Sequence, residues 1–150
     1  MIRRRPNLFL YYLLQYTWGI IQNILGLLLY VILSLRKKKR LRGFFNGARI
    51  LSWDNDGSLA LGRYIFISNY IVGNPIRVIV HEYGHTIQSC ILGPFYIPII
   101  GIPSLIWAKM PNFRRNRLRG RYTYSSFYPE KWANHLGRKY TKLPSIDGHM

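Results

Sequence analysis

Residues 78 to 85 read Val78-Ile79-Val80-His81-Glu82-Tyr83-Gly84-His85. Two histidines four positions apart, with a glutamate directly after the first, form the H-E-x-x-H pattern. At 3.6 residues per turn a helix puts both imidazoles on one face, about one turn apart. A pair so placed can grip one Zn2+. Glu82 is displaced around the helix, badly placed to ligate but near enough to hold a water on the metal and take its proton. Apolar residues precede the motif, and no charge comes after it until Lys109. The helix is therefore read as buried, where polar side chains need partners and a metal ion would be one.

Working outward, Asn74-Pro75 supplies a cap and a first-turn proline, so the metal helix is expected to begin near Ile76. A two-histidine site needs a third protein ligand, with the fourth position left to water. The candidates are Glu130, His135, His149 and the aspartates Asp54, Asp56 and Asp147. Tyr128-Pro129 predicts the start of a second helix running to about Gly137, with Glu130 in its first turn. His135 lies five residues later and is expected to face solvent or to support the site from outside. Asp54-Asn55-Asp56-Gly57 lacks the glutamate that closes a calcium loop and is read as a turn.

A histidine pair followed by Glu-x-x-Ala-Asp on a second helix resembles the gluzincin metallopeptidases, and in particular the membrane-bound CAAX-protease-like zinc endopeptidases. The residues that carry the resemblance are Ile79 to Gly93 and Glu130 to Gly137. It implies a zinc held by His81, His85 and Glu130, with Glu82 as general base. The aspartate of that family falls on Asn134 here, where it would hydrogen-bond a ligand histidine from behind. An amide can accept that bond but brings no charge. Site-2-type intramembrane proteases also use H-E-x-x-H, with an aspartate from an Asp-Gly motif, and Asp147-Gly148 is the matching pair. Tyr122, Tyr124 and Tyr128 are candidates to stabilise an oxyanion.

The chain has 150 residues, 22 Lys and Arg against five acids, and a net charge of +17. The basic residues cluster at Arg3 to Arg5, Arg36 to Arg42 and Lys109 to Arg121, each flanking an apolar run, which is where membrane proteins place them. From Leu8 to Leu35 there is no charge, long enough for the roughly 20 residues that cross the hydrocarbon core. A single N-terminal transmembrane helix is expected, and the denser basic flank after it puts the adjoining loop in the cytoplasm. The second uncharged run, Thr86 to Ala108, contains Pro94, Pro98 and Pro103 and reads as a re-entrant or interfacial hairpin. Arg49 to Trp53 and Ser58 to Ser68 read as a β-hairpin turning at Asp54 to Gly57, and Leu59 to Ser68 as an edge to which an extended substrate could add. The last ten residues read as a loose tail. Cys90 has no partner cysteine and reads as a small buried hydrophobe.

These features predict an α+β membrane protein with an anchor over residues 1–42 and a zincin-like domain over 43–150. The expected activity is hydrolysis of peptide bonds in a peptide or membrane-protein substrate at the cytoplasmic face. A second copy or a partner membrane subunit is an expected completion of so thin a membrane domain. The competing reading is a non-catalytic adaptor that binds anionic lipid, or less readily nucleic acid, through Arg36 to Arg42 and Arg114 to Arg121.

Overall fold

The computed structural model of the chain describes residues 7–36 and 40–147. Arg3 to Arg5, Lys37 to Lys39 and His149 lie outside them. The described residues form an α+β fold with six α-helices and one four-stranded sheet. In chain order these are α1 Leu8–Tyr16, α2 Ile20–Leu35, β1 Arg42–Phe45, β2 Ala48–Trp53, β3 Leu59–Leu61, β4 Tyr64–Ser68, α3 Pro75–Leu92, α4 Ile102–Lys109, α5 Pro111–Leu118 and α6 Tyr128–Thr141.

The expected single span is instead two helices that meet at 90°, and no single helix among the described residues is long and apolar enough to cross a membrane. The break is local in origin. Thr17 turns its hydroxyl back to the Leu13 carbonyl at 2.6 Å and Gly19 opens the next helix, an arrangement that bends helices. It is held by long-range partners. Gln15 donates to the Thr86 carbonyl, Gln22 to Ser89 Oγ and the Gly93 carbonyl, and Asn23 to Gln15. These amides are buried and would be costly without partners. They dock α1 and α2 on the second half of α3, across the expected boundary at residue 42.

The expected hairpin is also redrawn. The sheet order is β1-β2-β4-β3, with β2 and β4 parallel and the outer pairs antiparallel. The tight turn lies at Asn46-Gly47, both at positive φ, which is the Asn-Gly signal for a two-residue hairpin. A second reversal at Gly62, φ +57, splits Ser58 to Ser68 into two strands. A side chain at Gly62 would collide with Asn23. β4 is thereby central and buried at every position, so only β3 remains as the candidate substrate edge, and its Ala60 carbonyl accepts from the Tyr96 hydroxyl.

α3 begins as expected, Asn74 accepting from the Ile76 amide and Pro75 opening the first turn. It runs straight through the first part of the expected re-entrant hairpin, where Thr86, Gln88, Ser89 and Cys90 are buried in protein rather than presented to lipid. The chain breaks at Gly93–Phe95 and resumes through a π-turn at Ile97–Gly101 into α4. α6 starts at the predicted proline and ends at Lys142 in the left-handed region. α3 and α6 cross in close contact. A Cβ at Gly84 would overlap the Ala133 backbone, and one at Gly137 would overlap that of Val80.

Candidate metal centre

That crossing brings Glu130 over the two histidines. Glu130 Oε2 stands 3.0 Å from His81 Nε2 and 3.4 Å from His85 Nε2. One ligand atom from each of the three residues lies within 4.8 Å of the others, and all three residues are buried. At zinc bond lengths near 2.0–2.1 Å, two donors on a tetrahedral centre are about 3.3 Å apart. Among the described residues no other group of His, Cys, Asp and Glu converges in this way.

Each imidazole is held from behind by an amide whose own orientation is set. His81 Nδ1 lies 2.9 Å from Asn134 Oδ1, and Asn134 Nδ2 donates to Asp147 Oδ2 at 3.1 Å. His85 Nδ1 lies 2.7 Å from Gln88 Oε1, and Gln88 Nε2 donates to the Pro129 carbonyl at 2.9 Å. In both cases the amide nitrogen faces an obligate acceptor, so the amide oxygen faces the ring. The rings then carry hydrogen on Nδ1, and in the neutral form each presents a bare Nε2 lone pair forward. In that form both rings aim lone pairs at a carboxylate.

Three electron-rich atoms facing one another without a positive charge between them repel. Glu130 is fully buried, and the groups facing its carboxylate are the two imidazoles and the Tyr124 hydroxyl, so between neutral rings it lacks a compensating positive charge, a costly state for a carboxylate. A divalent cation resolves both problems, and the donor set of two imidazoles and one carboxylate suits zinc. Burial drives the Glu130 carboxyl up, and positive charge in the place of His85 and His81 outweighs it and holds it well below the usual range, which is the effect a bound cation would have. Glu82 is also buried and is pushed up to about 7, mainly by burial, with His81 opposing and Glu130 reinforcing. A carboxyl titrating near neutrality can take and return a proton.

Of the three tyrosines singled out, only Tyr124 reaches the centre. Its ring lies edge-on to His81 at 6.3 Å, and burial followed by the charges of Glu130 and Glu82 raises its hydroxyl. Tyr122 stacks on Trp107, and the Tyr128 hydroxyl donates to the Ile99 carbonyl. His135 is exposed. Asp147 sits behind Asn134 and is absent from the converging group. Sequence reasoning missed Gln88, Ser145 and Gly84; the only signal was an amide one turn past His85 and a glycine on the inner face of α3. No family model, no curated protein and no solved structure matches the chain.

Proposed function

We propose that the chain is a zinc-dependent peptidase of gluzincin type that works at a membrane. The observation that carries this reading is the convergence of His81, His85 and the fully buried Glu130 carboxylate, each offering one ligand atom within 4.8 Å of the others. His81, His85 and Glu130 would hold the metal, which when bound supplies a Lewis acid to a water or a carbonyl. Glu82 accepts the proton released when water attacks the peptide carbonyl and passes it to the leaving amine. Asn134 and Gln88 keep the histidine lone pairs forward. Tyr124, whose ring lies edge-on to His81, is the group available to a developing oxyanion. It also lines a cavity of about 590 Å³ shared with Arg114, Arg117, Arg121 and Tyr122.

The membrane part of the reading rests on the outer faces of α1, α2 and α4. Phe9, Leu13, Leu28, Ile32, Leu35 and Leu105 are exposed there among many other large apolar side chains, far more than a water-facing surface carries. At 1.5 Å per residue α1 and α2 extend about 14 Å and 24 Å, each short of a core about 30 Å thick. They are read as embedded without either one crossing alone. The substrate is a peptide or a membrane-protein segment near the surface.

The test is zinc content and peptide turnover of the full chain purified in detergent. One zinc per chain and cleavage lost in Glu82→Gln support the peptidase. A chain that takes up no metal and binds anionic vesicles in a salt-dependent way supports the basic adaptor instead.

A further inference from the structure

We infer that Asp147 and Ser145, in the segment after α6, are positioning residues for His81, acting through the Asn134 amide; the inference rests on the proposed metal centre. The Asn134 side chain is buried, and so is Ser145. The Asn134 oxygen accepts from both His81 Nδ1 and the Ser145 hydroxyl, and the Asn134 nitrogen donates to the Asp147 carboxylate. An amide turned over would aim its NH2 at His81 and at Ser145 and its oxygen at a carboxylate. Asp147 forbids that orientation. The segment that sequence patterning leaves as a loose tail therefore decides which atom faces the histidine.

Charge is the second consequence. A carboxylate directly behind a zinc-ligating histidine raises the basicity of the ring, and Asn134 brings no charge of its own. Asp147 places one on the far side of the same amide, where it polarises the N–H and makes the amide oxygen a better acceptor. Asn134 and Asp147 together do in two links what one carboxylate does in a single link. Ser145 closes the remaining lone pair, so the amide has no freedom to rotate.

The experiment measures zinc affinity of the full chain in detergent by competition with a chromophoric chelator, with thermal stability recorded for every variant. Asp147→Asn keeps an acceptor opposite Asn134 but removes the charge. Asp147→Ala removes both. We expect zinc affinity about 10-fold to 100-fold weaker in Asp147→Ala, an intermediate loss in Asp147→Asn, and a smaller loss in Ser145→Ala. The exchanged pair Asn134→Asp with Asp147→Asn moves the carboxylate next to His81 and preserves the hydrogen bond, so it should bind at least as tightly as the wild type. A purely structural role predicts Asp147→Asn equal to wild type, and zinc losses in Asp147→Ala and Ser145→Ala no larger than their losses of thermal stability. That result overturns the inference while leaving the metal centre standing. A wild-type chain that takes up no zinc overturns both.

Discussion

Gly84 of α3 and Ala133 of α6 touch backbone to backbone, so closely that even a methyl group on Gly84 would overlap the Ala133 carbonyl. That contact sets how near α6 lies to the histidines, and so how near Glu130 comes. Gly84→Ala should force the helices apart at a cost of about 1–3 kcal/mol, the usual range for overpacking, and weaken zinc binding beyond the loss of stability. Unfolding midpoints and chelator competition on the same samples separate the two effects. Unchanged zinc affinity in a destabilised protein would show that Glu130 is placed by something other than this crossing.

The ligand set is tested by removal. His81→Ala, His85→Ala and Glu130→Ala should each lose stoichiometric zinc, because two protein ligands hold the ion far less tightly than three. Asp147→Ala should keep the site while weakening it. Metal analysis after dialysis is the measurement, and the reverse ranking of Glu130 and Asp147 would favour the site-2-type arrangement.

Glu82→Gln should retain zinc and lose turnover by roughly 10²-fold to 10⁴-fold, the usual contribution of a positioned base. A near-normal rate per zinc-loaded chain would remove Glu82 from the mechanism.

The same substitution has a pH signature in metal-free protein. The Glu82 carboxyl is raised from 4.5 to about 7 on folding, so the folded state holds its proton more tightly than the unfolded state does. The stability from that proton is complete below about pH 4.5 and is lost as pH rises through 7. Glutamine never ionises. Glu82→Gln should therefore match wild type near pH 4 and exceed it by on the order of 3 kcal/mol at pH 8 in the presence of chelator, at about 1.4 kcal/mol for each tenfold difference in proton affinity. Denaturant titrations at the two pH values check this, and a gain of equal size at both would mean that charge is not its cause.

Gln22→Leu makes the apolar run more apolar, yet it should destabilise the protein by about 1–3 kcal/mol, because Ser89 and the Gly93 carbonyl lose their donor. If Gln22 faced lipid the sign would be opposite. Stability measured in detergent micelles decides it.

What was legible in the sequence was local. Asn74-Pro75 and Pro129 are cap signals that act within one turn, and they placed both site helices; the His81/His85 spacing needed only helical geometry. What was not legible depends on partners far along the chain. Leu8 to Leu35 reads as a span until Gln15 and Gln22 are seen to be buried against α3, and Asn23 against Gln15 and the Gly62 turn, although buried positions at 11, 15, 19, 22, 23, 26 and 33 trace a helical stripe. The hairpin expected at Asp54 to Gly57 is replaced by one at Asn46-Gly47 and a second reversal at Gly62, because a glycine inside a β-rich run signals a turn only once its partner strand is known. Ser145 and Asp147 sit in a segment with no periodicity, and only the fold reveals that Asn134 requires them.

The crossing of α3 and α6 also has a consequence for biosynthesis. The His81–Asn134 contact spans 53 positions of sequence, and Glu130 lies nearly as far from His85. While a ribosome has delivered the chain only through α3, the histidines and Glu82 exist without the carboxylate that would complete their grip on the ion. Contacts of such long range form late because the chain between them must first be ordered. On the proposed reading the metal site, and any activity that depends on it, would come into being only when α6 has emerged and docked.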